Sequence, residues 1–144
     1  MRYLLTLLLI ISCAGMAVAE IVMVAGYSAE LRNTPSETQS YIVLELPTYY
    51  PLSVQGSHGN YYQVRDYQGI TGWIHKDQVN HNMSVVVEVE QAPVRQAPGP
   101  DQPVVFLARQ GVTFKVLDER GSWLQVVHES GQGGWVYKSL TWGR

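Results

Sequence analysis

The residues most suited to chemistry in this chain are aromatic rather than reactive. His58, His75, His81 and His128 show neither the i, i+4 helical pairing nor the HxH spacing of a metal site, so surface or turn positions are expected and no metal ligand is assigned. Gly121-Ser122-Trp123 has the composition of a hairpin turn, not of a nucleophile elbow. Gly131-Gln132-Gly133-Gly134 leads into a strand, so no helix N-terminus is offered to a phosphate. Glu88, Glu90, Asp118 and Glu119 alternate with apolar positions or fill turns, as on solvated strand faces. No catalytic residue and no cofactor are expected, and the chain is read as a non-enzyme. The candidates for binding are Tyr61 and Trp123, read as outward-pointing side chains beside loops, with Tyr49 and Tyr67 extending the same surface. Trp73 and Trp135 open the last main strand of each half and favour a covering role, with Tyr137 following. Large, stiff rings bring much contact area at small entropic cost, which suits a peptide or a sugar face.

These residues recur because the sequence is duplicated. Gly59-Asn60-Tyr61-Tyr62-Gln63-Val64 aligns with Gly121-Ser122-Trp123-Leu124-Gln125-Val126, and Gly72-Trp73-Ile74-His75-Lys76 with Gly134-Trp135-Val136-Tyr137-Lys138, at one common offset (121 − 59 = 62). Leu31-Arg32 and Pro35 align with Val94-Arg95 and Pro98 at an offset larger by one, which places a single-residue deletion in the loop between Pro98 and Val105. Each copy alternates in the manner of a strand: Val112, Phe114 and Val116 in one, Tyr50, Leu52 and Val54 in the other, with Pro51, Ser53 and Gln55 facing out. Leu124 and Val126 point inward and Trp123 and Gln125 outward, after a turn read at Asp118 to Ser122. Tyr49 stands where the second copy has Gly111, which predicts a differently shaped loop. No stretch carries helical periodicity, and Asn80 to Met83 is too short a joint to let the copies move freely.

Ahead of the repeat, Arg2, the apolar run Leu4 to Ile11 and Ala17-Val18-Ala19 form a secretory leader over residues 1–19. Ile10-Ile11-Ser12-Cys13 also fits a lipoprotein signal acylated at Cys13, although few residues precede it. Cleavage after Ala19 leaves a mature chain without cysteine, hence without disulfide or thiol, and without a segment long enough to span a bilayer. A net charge of −2, with Lys and Arg scattered, gives nucleic acid no electrostatic footing.

The order Val94-Arg95, Pro98-Gly99-Pro100, Gly111 to Leu117, Gly121-Ser122-Trp123 and Gly134-Trp135-Val136-Tyr137-Lys138-Ser139-Leu140, echoed in the first copy, resembles the bacterial SH3-like domain. That resemblance implies an all-β chain of two tandem SH3-like small barrels, over residues 20–80 and 84–142. It also implies an exported protein, periplasmic or in the cell envelope, whose partner is a cell-wall peptide or glycan or an envelope protein. The alternative is a structural adaptor that docks an envelope complex through a strand edge. Polyproline recognition does not carry over, since Tyr137 and Leu140, or His75 and Val79, stand where the eukaryotic relatives have Pro and Tyr.

Overall fold

The computed structural model describes residues 18–144, so most of the expected leader, Cys13 included, lies outside the described residues. Among the described residues, alternating apolar runs broken by turns give fourteen short strands. In the first half these are β1 (Ile21–Val24), β2 (Ser28–Arg32), β3 (Ile42–Pro47), β4 (Pro51–His58), β5 (Tyr61–Arg65), β6 (Thr71–His75) and β7 (Val79–Asn80). The second half repeats them as β8 (Ser84–Val87), β9 (Gln91–Arg95), β10 (Val104–Arg109), β11 (Thr113–Arg120), β12 (Trp123–Val127), β13 (Gly133–Tyr137) and β14 (Thr141–Gly143). A single 3-10 turn precedes the last strand of each half, at Lys76–Gln78 and Lys138–Leu140. Each half is one antiparallel sheet, ordered β3-β2-β6-β5-β4-β1-β7 and β10-β9-β13-β12-β11-β8-β14. The two orders are identical, as duplication requires.

Each sheet curls round its own core. Val22, Val24, Ala29, Leu31, Leu46, Leu52, Val64 and Ile74 close the first, and Val85, Val87, Ala92, Val94, Ala108, Phe114, Leu124 and Val136 the second. The expected inward sets lie there, with Val54, Tyr62 and Val112 packed at the margin. Two glycines set the curl. A Cβ on Gly72 would stand 2.6 Å from Leu31 Cγ, and one on Gly134 2.6 Å from the Arg95 carbonyl oxygen. Only a bare Cα lets β6 reach β2, and β13 reach β9, at the corner where Arg32 pairs with Trp73 and Arg95 with Trp135.

Three sequence expectations change. The turn read at Asp118 to Ser122 is shorter, because β11 continues to Arg120 and only Gly121-Ser122 turn. Tyr49 does not reshape its loop: it adopts φ 65°, in the left-handed region where Gly111 also sits at φ 90°. The chain thus keeps the duplicated turn although one copy has a side chain there.

The third concerns Pro51 and Ser53, expected outside but buried. They face the second barrel. Met23 and Val86, at equivalent points on β1 and β8, are also buried yet belong to neither core. Strands buried on both faces need a second layer, and the other barrel supplies it. Thr113 Oγ1 donates to the Thr48 carbonyl oxygen at 2.8 Å, and Gly143 lies so close to Pro51 that a Cβ would meet its ring carbon at 2.9 Å. The barrels therefore pack as a pair, as the short joint predicts.

Candidate binding pockets

Trp123 begins β12 directly after the Gly121-Ser122 turn, and strand register sets Tyr137 opposite it. The two rings meet edge to face, centroids 5.3 Å apart at 65°. Beside them Pro93, Pro100, Leu140 and Arg95 complete a pocket of about 350 Å³. Pro93 comes from β9, Pro100 from the loop before β10, and Leu140 from the 3-10 turn. Arg95 is steadied by donating to the Gln102 carbonyl at 2.8 Å, and among the described residues its guanidinium has no carboxylate partner. The site is apolar and aromatic, with one cation at its rim.

The first barrel has a cavity at the same place, of about 380 Å³. Position by position its lining is different. Tyr61 stands for Trp123, His75 for Tyr137, Gln78 for Leu140 and Glu30 for Pro93, while Arg32 matches Arg95, and the loop after that corner supplies Glu37 in one copy and Pro100 in the other. Tyr61 and His75 are again cross-strand partners and again meet edge to face, at 5.1 Å and 76°. Arg32, however, is neutralised, with an oxygen of Glu30 at 2.6 Å and Ser40 Oγ at 3.0 Å. The scaffold is conserved between the copies and the chemistry is not.

Tyr61 corrects a sequence expectation. It leaves the core on the outward side of β5 but is only 8% exposed, because the Arg32 corner and His75 cover it. Its hydroxyl is buried and, among the described residues, has no hydrogen-bond partner. Burial and the nearby carboxylates of Glu37 and Glu30 raise its pKa above the ordinary tyrosine value, with Arg32 acting the other way.

The remaining candidates do not share one surface. Trp135 is 7% exposed and lies beneath Arg120, whose guanidinium carbon stands 5.2 Å from the ring centroid. Trp73 packs edge-on to His58 at 6.3 Å. Neither contributes to the two pockets. Tyr49 and Tyr67, expected to extend the Tyr61 surface, are instead found at the junction of the barrels. Tyr49 lines a cleft shared with His128 and Glu129, and Tyr67 a groove of about 650 Å³ shared with Lys138, Trp142 and Arg144. Period-two reasoning gives the face of a strand but not which outward residues a second barrel will cover.

The histidines have local structural work. His75 Nδ1 accepts the Asp77 N–H and starts the 3-10 turn, and His128 Nδ1 accepts the Ser130 N–H within the β12–β13 turn. Asp66, equivalent to His128, is buried and accepts from the Gln68 and Ile70 N–H groups and from the Tyr50 hydroxyl at 2.8 Å. Glu119, to which the sequence assigned no chemistry, binds Lys138 and Arg144 and so ties down the C-terminal strand. Those contacts lower its pKa, Lys138 most of all. Among the described residues, no group of three or more His, Cys, Asp or Glu could hold a metal ion, and no helix is long and apolar enough to cross a membrane.

Two seven-stranded SH3-like barrels with a pocket at each 3-10 turn define a class of small all-β modules. The bacterial SH3 domain model matches residues 26–80 and again residues 88–143, and the chain belongs to that family as a tandem pair. No curated protein sequence matches it. Among solved structures it is similar to NlpC2 from Trichomonas vaginalis, at 14% identity over 88% of this chain and 49% of that one, TM-score 0.40. It is also similar to an NlpC/P60 family protein from Bacillus cereus, at 12% identity over 85% of this chain and 55% of that one, TM-score 0.39. The chain thus spans about half the length of each.

Proposed function

We propose that this protein is an exported, non-catalytic binding module of the cell envelope that holds a cell-wall peptide or glycan in the pocket of its second barrel. The observation that carries this reading is the Trp123–Tyr137 pair beside Pro93 and Pro100, with the Arg95 guanidinium, free of any carboxylate among the described residues, at the rim. Rings held edge to face leave an apolar surface on which a sugar ring or a peptide can lie, and a guanidinium beside it selects a carboxylate-bearing ligand. Membership of the bacterial SH3 family supports the envelope setting. The pocket side chains offer no nucleophile with a base beside it, which supports binding rather than turnover. In this reading residues 1–19 direct export, and 20–80 and 84–142 are the two barrels.

Retention on insoluble peptidoglycan, compared between the protein and its Trp123→Ala variant, tests the proposal. Loss of retention in the variant supports it, and absence of retention in both overturns it. A second reading, docking of an envelope protein along a strand edge, draws on β10. This strand ends its sheet and exposes Val104, Val105 and Leu107. Docking there would tolerate Trp123→Ala and fail when Val105 is changed to Lys.

A further inference from the structure

The two pockets have the same scaffold but opposite character, and the first-barrel pocket contains a feature that the fold alone leaves unexplained. Its phenol, Tyr61, is more than nine-tenths buried, and its hydroxyl, removed from water, has no hydrogen-bond partner among the described residues. Burying a hydroxyl unpaired is costly, and a protein that retains one commonly uses it for a ligand. Three carboxylates line the same pocket, those of Glu30, Glu37 and Asp77. Arg32 neutralises Glu30, while Glu37 and Asp77 are exposed at the rim. Asp77 lies 3.6 Å from His75 Nδ1, which accepts the Asp77 N–H. With Glu30 paired, the excess charge of the pocket is negative. The second barrel has Pro93 and Ser139 in place of Glu30 and Asp77, and its corresponding loop, which supplies Pro100, has no glutamate.

We propose that the first-barrel pocket binds a primary ammonium group carried by a peptide, with Glu37 and Asp77 as its counter-charges and the Tyr61 hydroxyl as an acceptor. An ammonium has three donors and no acceptor, which matches two carboxylates and one free phenolic oxygen. A metal ion would need a tighter group of ligands than these residues form. An anion would meet Glu37 and Asp77 before it met Arg32, which is already occupied. The tandem pair would then read two chemistries on one partner: an amine in the first barrel and an apolar or sugar face with a carboxylate in the second. The proposal rests on first-barrel residues alone, so it stands or falls separately from the role of Trp123.

The test is titration of the isotope-labelled protein with two peptide amides, acetyl-Gly-Lys-Gly and Gly-Gly-Gly, each beside its fully acetylated form, observed by amide NMR. The expected result is a saturable shift of the Tyr61, His75 and Asp77 resonances with an amine-bearing peptide and none with its acetylated form. Whichever peptide is effective identifies the amine as a side chain or a chain terminus. Combining Glu37→Gln with Asp77→Asn, both exposed and remote from the cores, should weaken binding about tenfold or more, and Tyr61→Phe several-fold. The proposal is overturned by equal shifts from the acetylated peptides, by no shift at about 10 mM of either amine, or by unchanged affinity in the carboxylate variants. The Trp123→Ala variant should bind the amine as the unmodified protein does.

Discussion

Tyr49 and Gly111 occupy equivalent turns and share a left-handed backbone, at φ 65° and φ 90°. For a residue with a side chain that conformation costs about 1–2 kcal/mol, whereas glycine adopts it freely but costs about 0.5–1 kcal/mol more to order from the unfolded chain. Tyr49→Gly is therefore expected to leave stability unchanged or raise it by up to about 1 kcal/mol. Gly111→Ala should lower it by about 1–2 kcal/mol through backbone strain, since a Cβ there meets nothing nearer than the Tyr67 hydroxyl at 3.7 Å. Urea unfolding of both variants checks this. A marked loss in Tyr49→Gly would mean that the half-buried ring contributes more than its backbone costs.

The hydrogen bond from Thr113 to the Thr48 carbonyl crosses the junction between the barrels in a buried setting. Thr113→Val keeps the shape but strands that carbonyl, at an expected cost of about 1–3 kcal/mol. Because Met23 and Val86 are also covered by the junction, the two barrels should melt in one calorimetric transition, and the variant should lower or split it. Two separate transitions in the unmodified protein would contradict a cooperative pair.

Tyr50 is buried in the first core with its hydroxyl on Asp66. Desolvation, reinforced by the hydrogen bond and charge of Asp66, raises its pKa far above the ordinary tyrosine value. The folded state therefore holds this proton more tightly than the unfolded state, which releases it near pH 10. Its contribution to stability is complete below about pH 10 and declines as pH rises further. Tyr61 and Tyr67 are shifted the same way and add to the trend. Tyr50→Phe should cost about 1–3 kcal/mol at pH 7, since Asp66 keeps its two backbone donors. The variant should also lose less stability between pH 9 and about pH 11. Denaturant midpoints across that range decide the matter, and an unchanged alkaline slope would remove Tyr50 from the account.

The orphaned hydroxyl of Tyr61 makes a prediction for the unliganded protein too. Removing an unpaired buried polar group relieves a desolvation cost, so Tyr61→Phe should be neutral or stabilising by up to about 1 kcal/mol. If thermal unfolding shows a loss of more than about 1 kcal/mol, the hydroxyl has a partner and its availability to a ligand falls with it.

The duplication, the inward alternation of Phe114 and Val116 or of Leu52 and Val64, and the family were legible in the sequence. They depend on local spacing: a strand repeats every two residues and a copy repeats at a constant offset. Even the single-residue deletion was legible, and it falls in the loop between β9 and β10. What only the tertiary structure decided is where outward residues go. Pro51 and Ser53 have the alternation of solvent-facing positions but are covered by a second barrel, and Tyr49 and Tyr67 are drawn to that junction instead of to the Tyr61 pocket. The divergence of the pockets was out of reach for the same reason. Glu30, Glu37, Tyr61 and Asp77 are distant in sequence, and only strand register and the curl at Gly72 bring them together. Periodicity encodes which face of a strand a side chain takes, whereas a site depends on what the other strands and the other barrel place against that face.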